Sequence, residues 1–379
     1  MEFSDIIKNE NILRGIYGYG FMKPSEIQSS SIPFIIDGRD VIAQARSGTG
    51  KTGAFVIGLL SRINIEKNKL QGIILSHTRE LALQILSVIR NISFYMTGLK
   101  VALCIGGTQV NKNIEDAKKS HIMIGTVGRM YDLIVDKHCI DMTYVKTMIM
   151  DEADELLNEY KKNEIYQIKN IIMSIPKECQ ICIFSATIPE KIIEISGKFM
   201  NNPEKILVGD NILSVEGIRQ FYIYLEHEKF KLSTLKDLYN RISIAQCIIY
   251  VNSKEKAEFL KNELIADKFG VSMIHGDMDQ AVRMEIMRTF RSGVNRILIS
   301  TDLLARGIDI QQVNLIINYD IPFEYNCYLH RVGRSGRYGR RGVAVSFVTD
   351  RDKQVFSEIE KKFSIHIEEM PADISEFLI

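Results

Sequence analysis

Short apolar runs alternate along the chain with longer stretches whose apolar residues recur every three or four positions. In the first half the runs are Asp40-Val41-Ile42-Ala43, Gly72-Ile73-Ile74-Leu75-Ser76, Val101-Ala102-Leu103-Cys104-Ile105, His121-Ile122-Met123-Ile124-Gly125, Thr147-Met148-Ile149-Met150 and Ile181-Cys182-Ile183-Phe184. Consecutive rather than alternating apolar positions are the pattern of a strand buried on both faces, as in a parallel sheet. Helical periodicity, as over Glu80 to Ile92, lies between them. The polar stretch Gly209-Asp210-Asn211-Ile212-Leu213-Ser214 interrupts the pattern and reads as a linker. The runs then resume as Cys247 to Val251, Val271 to Ile274, Arg296 to Ser300, Leu315 to Tyr319 and Val343 to Phe347. Two consecutive βαβα arrays predict an α/β protein with two mostly parallel sheets flanked by helices, since so many strands rarely stay in one sheet. The expected boundaries are a first domain over 1–209, a linker over 210–216 and a second domain over 217–379.

Composition narrows the class. A chain of 379 residues suits two domains, and 46% hydrophobic with 25% charged residues supplies a core to each. Lys and Arg number 48 against 47 Asp and Glu, which excludes a uniformly basic nucleic-acid-coating protein but not a local basic groove. Residues 1–209 carry 25 basic and 23 acidic side chains, and the remainder 23 and 24. Residues 283–341 hold ten Arg and no Lys, a bias that predicts a phosphate-facing surface because the planar guanidinium grips phosphate bidentately. The six cysteines are scattered, and the pair Cys179 and Cys182 lies in a strand-like run, where cysteine acts as a small hydrophobe. The first residues, Met1-Glu2-Phe3-Ser4-Asp5, are acidic and lack a signal peptide's apolar core. No apolar run reaches membrane-spanning length. The expected setting is the cytoplasm, with the nucleus as the alternative, and no membrane contact.

Two motifs carry chemistry. Ala45-Arg46-Ser47-Gly48-Thr49-Gly50-Lys51-Thr52 follows the first predicted strand and precedes a helical pattern, as a phosphate loop does, with Ala in place of the first Gly. Glycines let backbone N–H groups form a concave nest that meets phosphate at a helix N-terminus. Lys51 supplies a point charge for the β- and γ-phosphates, and the Thr52 hydroxyl is a Mg²⁺ ligand. One hundred residues after Lys51, a strand ends in Asp151-Glu152-Ala153-Asp154. Carboxylates there face the ligand crevice of an open α/β sheet. Asp151 suits Mg²⁺ and Glu152 suits the water that attacks. Acids favoured by a helix N-terminus would explain two of these three but not their arrival with a phosphate loop.

With those motifs in place, the chain resembles the DEAD-box ATP-dependent RNA helicases. Gly20 to Gln28 looks like that family's Q motif, with Phe21 inside it and Phe3 at its isolated upstream aromatic position. The resemblance implies that Gln28 reads the adenine edge, for which a carboxamide offers both donor and acceptor. Thr78-Arg79-Glu80-Leu81-Ala82, Gly106-Gly107 and Thr126-Val127-Gly128-Arg129 resemble the RNA-backbone motifs, and Ser185-Ala186-Thr187 the coupling motif. The second half continues the pattern through Val251-Asn252-Ser253, His275-Gly276-Asp277, Ser300-Thr301-Asp302, Ala305-Arg306-Gly307-Ile308-Asp309 and His330-Arg331-Val332-Gly333-Arg334-Ser335-Gly336-Arg337. Each piece is weak alone, and the ordered set is specific.

The resemblance implies two tandem RecA-like domains, ATP and Mg²⁺ as cofactors, and single-stranded RNA bound across both domains through Arg79, Gly107, Thr126, Arg129, Asn252, Thr301 and Arg306. It implies Gly307 and Asp309 at the nucleotide, with Asp309 on the ribose. Arg334 and Arg337 become fingers that stabilise charge on the transferred phosphoryl group. His330 would join Asp154 or Thr187 across the domains. Leu13 to Phe21, Glu216 to Tyr222, His275 to Gln280, Thr301 to Asp309 and Ile367 to Ile374 are similar to the family's translation-initiation members. They imply work on mRNA with a scaffold and activating cofactors, as a monomeric core. Gly333 to Arg340 is similar instead to the nuclear members that clamp RNA in the exon junction complex. Two departures stand out: His77 and Val127 each replace a usual proline. The resemblance implies that both positions steer the backbone beside RNA, so the departures are expected to affect RNA affinity and leave the ATP chemistry untouched.

Overall fold

The computed structural model describes residues 1–46, 48–208, 218–241, 246–302, 313–335 and 342–371. The chain divides into two compact units, Met1–Asp210 and Asn211–Ile379. The expected linker, 210–216, lies outside the described residues.

In the first unit the strands are β1 (Val41–Gln44), β2 (Gly72–Ser76), β3 (Val101–Cys104), β4 (Ile122–Thr126), β5 (Thr147–Asp151), β6 (Gln180–Ser185) and β7 (Glu204–Leu207). Among the described residues they form one seven-stranded sheet in the order β3-β4-β2-β5-β6-β1-β7, every pair parallel. Consecutive residues of one strand feed opposite cores. Ile74 packs in the cluster that holds Ile57 and Ile89, while Ile73 and Leu75 join Met130 and Leu133. The unbroken apolar runs are therefore strands covered by helices on both faces. Cys179 and Cys182 lie in the second of those cores and the first respectively, and burial pushes the Cys179 thiol up to about 12.

The second unit contains β8 (Ile218–Tyr224), β9 (Cys247–Tyr250), β10 (Val271–Ile274), β11 (Ile297–Ser300), β12 (Leu315–Asn318), β13 (Gly342–Val348) and β14 (Glu368–Glu369). Among the described residues these make a second parallel sheet, ordered β10-β11-β9-β12-β13-β8-β14. Counted from each unit's first strand, the two orders are identical.

Three strands escape the apolar-run pattern. β7 and β14 are short edge strands, covered on one side only, and their sequences Glu204-Lys205-Ile206-Leu207 and Glu368-Glu369 are rich in charge. β8 carries Arg219, Gln220 and three aromatic residues, yet pairs along its whole length with β13. Tyr328 Oη donates to Gln220 Oε1 at 2.9 Å, so one polar strand residue is satisfied from a helix above the sheet. Among the described residues no helix is long and apolar enough to cross a membrane.

Candidate functional site

In both units the chemistry-bearing residues follow the carboxyl ends of the strands. The first unit divides its edge. Residues after β1, β5 and β6 form one half, and residues after β2, β3 and β4 the other.

The phosphate loop leaves β1 at Gln44, which lies alongside Ser185 of β6. Ala45 N donates to Ser185 O at 3.2 Å, which ties the loop to the coupling motif. Gly48 and Gly50 have φ of +83° and +99°, left-handed values that favour glycine, and Gly50 caps the helix Lys51–Arg62. Lys51 Nζ is buried and donates to Ala45 O at 2.5 Å and Arg46 O at 2.9 Å, so the ammonium is folded back against the loop it serves. Thr49 Oγ1 closes the loop by donating to Arg46 O at 2.8 Å. Thr52 is half-buried on the helix's first turn. Ser47 lies outside the described residues.

Gln28 sits in the first turn of the helix Glu26–Asp37 and is 2% exposed. Its Oε1 accepts from Ser25 N at 3.0 Å, and its Nε2 donates to Gly50 O at 3.2 Å. The carboxamide thus bridges a helix start to the phosphate loop, and a second N–H and a second lone pair are left in its inventory. Gly53 belongs to this junction, although the sequence motif does not mark it. A Cβ there would fall 2.7 Å from Phe21 Cε2 and 2.8 Å from Gln28 Nε2. Phe21 stacks on Phe3 with ring centroids 6.4 Å apart and meets Tyr19 edge-on at 4.9 Å. Phe3 itself is fully buried, so it backs Phe21 and offers no surface of its own to a nucleotide.

β5 ends in Asp151, in register with Phe184 of β6, and the carboxylate is buried. Burial pushes the Asp151 carboxyl up, Glu152 beside it pushes the same way, and the Lys51 ammonium opposes both. Glu152 N donates to Asp151 Oδ1 at 3.0 Å. Glu152 has φ of +52°, a left-handed value that costs a non-glycine residue about 1–3 kcal/mol and recurs at functional sites. Among the described residues no group of three or more His, Cys, Asp or Glu could cage a metal. One buried carboxylate close enough to feel the Lys51 ammonium, with Thr52 next in the chain, fits a hard cation that draws its other ligands from phosphate and water, as Mg²⁺ does.

The coupling residues meet within the same edge. Thr187 Oγ1 donates to Asp154 Oδ2 at 2.8 Å, and Asp154 N donates to Ser185 Oγ at 3.3 Å. On the other half, Thr78 caps the helix Arg79–Ile92 by accepting from Leu81 N at 3.2 Å. A Cβ on Gly106 would lie 2.8 Å from an Arg79 guanidinium nitrogen, so that side chain lies across the loop. Gly107 has φ of +81° and is exposed. Arg129 donates to Thr108 O at 3.1 and 3.2 Å and also reaches Asn113 Oδ1. Arg79, Gly107, Thr126 and Arg129 therefore share one continuous edge after β2, β3 and β4. Val127 is buried and opens the helix Val127–Tyr131, a first-turn position that proline also favours, so the chain direction survives the change.

His77 departs from expectation. It follows β2 directly, and its Nδ1 lies 3.3 Å from Glu152 Oε2. The change from proline therefore reaches the carboxylate at the ATP half of the edge, not only the RNA half. Sequence alone could not show this, because 75 residues separate the two and only the β2–β5 pairing joins them.

In the second unit Asn252 is held at its backbone N–H and at both ends of its carboxamide. Its N donates to Asp320 Oδ2 at 3.0 Å, its Nδ2 to Ile321 O at 2.8 Å, and its Oδ1 accepts from Arg331 Nη2 at 2.9 Å. Arg331 also donates to Asp302 Oδ1 at 2.5 Å and Asp320 O at 2.6 Å, and is fully buried. Arg283 donates to Gln280 and Arg288 pairs with Glu285. The run of arginines is therefore not one phosphate-facing surface, since Arg283 and Arg331 are buried fasteners while Arg288 stands exposed. Arg334 Nε donates to His330 O at 3.1 Å, one turn earlier. Thr301 follows β11 and is half-buried. Arg306, Gly307, Asp309 and Arg337 lie outside the described residues.

Comparison with known proteins agrees with this geometry. Residues 25–195 match the DEAD/DEAH box helicase family and residues 230–339 the helicase conserved C-terminal domain. The chain is 51% identical over 374 residues to the ATP-dependent RNA helicase eIF4A of Candida albicans, covering 98% of this chain and 93% of that protein. It is 48% identical over 375 residues to the ATP-dependent RNA helicase FAL1 of Eremothecium gossypii, with the same coverage. Among solved structures, Saccharomyces cerevisiae Dbp5 bound to RNA and ADP BeF3 superposes with a TM-score of 0.92 at 32% identity, covering 100% of this chain and 98% of that one. A phosphate loop, a buried carboxylate pair and a coupling motif on one strand edge, together with relatives alike over almost their whole length, place this chain in the DEAD-box family of ATP-dependent RNA helicases.

Proposed function

We propose that this helicase hydrolyses ATP at a site completed by both units, with RNA bound across them, and that it opens local mRNA structure during translation initiation. One observation carries the reading: the phosphate loop, the carboxylate pair and the coupling residues lie on the same strand edge as Arg79, Gly107 and Arg129.

In this reading the N–H groups around Gly48 and Gly50 cradle the phosphates, and Lys51 leaves Ala45 O and Arg46 O for the β- and γ-phosphates. Thr52 and Asp151 would hold Mg²⁺, which supplies positive charge to the phosphate oxygens. Glu152 orients the attacking water and takes its proton. Gln28 uses its remaining donor and acceptor on adenine, beside Phe21. Gly307 and Asp309 complete the nucleotide site, with Asp309 at the ribose. Arg334 and Arg337 meet the charge that develops on the γ-phosphoryl group, a contribution of about 10³–10⁵ in rate for such arginines. His330 joins Asp154 or Thr187. Since these groups belong to different units, RNA held by both favours the arrangement that hydrolyses ATP. Asn252 shapes the RNA-facing loop of the second unit through its own hydrogen bonds, with Thr301 and Arg306 nearby in the motif order. The partners in this reading are mRNA, an initiation scaffold and activating cofactors, met in the cytoplasm by a monomeric core. Names of eIF4A relatives support the initiation role.

The test uses the full chain. ATP turnover is measured with and without single-stranded RNA, and strand separation is followed on short RNA and DNA duplexes. Strong RNA stimulation, RNA-selective and ATP-dependent opening, and loss of stimulation in Arg334→Ala with ATP binding kept are expected. Equal turnover with and without RNA sinks the composite site. Capture of exon-junction partners in place of a cap-complex scaffold sinks the initiation role.

A further inference from the structure

We propose that His77 is a positioning residue for Glu152, linking the segment that begins the RNA-side helix to the carboxylate that handles the attacking water. The inference rests on the reading of Glu152 as that base.

The sheet makes the contact. β2 and β5 are neighbours, with Leu75 alongside Met150, so the residues after them emerge side by side. His77 is the first residue past β2, and Glu152 the first past β5. Their Nδ1 and Oε2 atoms stand 3.3 Å apart, and the side chains are 6% and 11% exposed. Water screens a pair in such a place weakly, so an imidazole nitrogen 3.3 Å from a carboxylate oxygen restrains where that carboxylate can lie. Contacts of this kind are often long in the free enzyme and tighten around bound substrate.

Both ends of the link are anchored. Glu152 is held in its left-handed conformation with its N–H on Asp151 Oδ1, which sets where the side chain starts but not where the carboxylate ends. His77 acts at that far end. On its own side, Ser76 Oγ donates to Thr78 O at 3.1 Å and Gly125 O at 3.3 Å, and Thr78 caps the helix that opens with Arg79. The ring starts from backbone that these bonds fix beside the cap, so a shift of that segment carries the ring with it. A shift of Arg79 on RNA would therefore be felt at the Glu152 carboxylate. A proline in this position has no side-chain donor, so the link is a property of this chain's own residue.

The experiment measures steady-state and single-turnover ATP hydrolysis with saturating single-stranded RNA in the full-length protein. His77→Ala is expected to lower kcat by about 10- to 100-fold, the scale of a misplaced reacting group. The KM for ATP and the thermal midpoint stay near wild type. His77→Asn, whose amide nitrogen reaches the position of Nδ1, restores most of the loss. Glu152→Gln loses hydrolysis by itself, and adding His77→Ala to it changes the residual rate little. Wild-type kcat in His77→Ala, or a loss that Glu152→Gln does not absorb, overturns the inference while the role of Glu152 stands. Wild-type hydrolysis in Glu152→Gln overturns the role of Glu152, and the inference with it.

Discussion

The two units share a strand order, yet one binds phosphate in our reading and the other braces itself. In each, a helix after the first strand opens with lysine: Lys51 begins Lys51–Arg62, and Lys231 begins Lys231–Arg241. In each, an aspartate stands at the carboxyl end of the fifth strand, Asp151 on β5 and Asp320 just past β12. Lys231 is 1% exposed and ringed by acids of its own unit, with Glu228 at 2.8 Å, Asp320 at 3.4 Å and Asp352 at 3.8 Å. Lys256 adds a second cation on Asp320 at 2.8 Å. Lys51 instead bonds to two loop carbonyls. The loop ahead of each lysine makes the difference. Residues 45–50 contain two glycines with positive φ, which turn the backbone into a nest. Leu225-Glu226-His227-Glu228-Lys229-Phe230 contains none and supplies an acid instead. Identical topology thus yields an anion site or an internal strut according to a few residues of loop chemistry.

Four substitutions break or sharpen that contrast. Lys51→Ala should cut RNA-stimulated ATP turnover by about 10²- to 10³-fold, on the scale of losing a preorganised donor to developing charge. Its melting temperature should stay close to wild type, since a buried ammonium is removed along with the carbonyl contacts that satisfied it; a large drop in melting temperature would make Lys51 a strut as well. Lys231→Met should do the reverse. Removing one partner of a buried ion pair costs about 3–5 kcal/mol. In a unit of this size that lowers the melting temperature by roughly 6–20 °C. Calorimetry should show the second unit melting early while the KM for ATP holds, and loss of ATP binding with no thermal shift would contradict the strut.

Gln28→Ala removes the tie between Ser25 and Gly50 along with the base-reading amide. The preference for ATP over GTP, measured as a ratio of kcat/KM, should fall about tenfold, equivalent to roughly one hydrogen bond of about 1–1.5 kcal/mol. An unchanged ratio would leave Gln28 as a helix cap alone. Gly53→Ala is the mildest. Its methyl group would fall 2.7 Å from Phe21 Cε2 and 2.8 Å from Gln28 Nε2, so the tips of both side chains must shift. About 1 kcal/mol of overpacking should raise the KM for ATP about fivefold and leave the second unit's melting untouched. Normal KM would mean that the aromatic edge yields freely.

Much of this was legible in the residues. The strands at the centre of each sheet carry unbroken apolar runs because both their faces are covered, and the ATP motifs are contiguous in sequence because a phosphate loop is built from one turn of chain. Strands β7 and β14 lack that signal because they are short and largely exposed, whereas the edge strands β3 and β10 keep apolar runs. The arginine run misled because a guanidinium that grips phosphate also serves to clamp Asp302, Asp320 and Asn252, as Arg331 does. Phe3 was legible as important but not as buried.

The sequence by itself determined the fold class, the family and the phosphate loop, because each is written in local periodicity or in contiguous residues. Only the tertiary structure decided which distant residues become partners. His77 meets Glu152 because β2 and β5 pair. Lys231 finds Asp320 across 89 residues and Gln28 reaches Gly50 across 22 because the fold brings them together. Parallel strands linked by crossovers bring their carboxyl ends together in an order unlike that of the chain, and that reordered edge, not spacing in sequence, sets which groups touch.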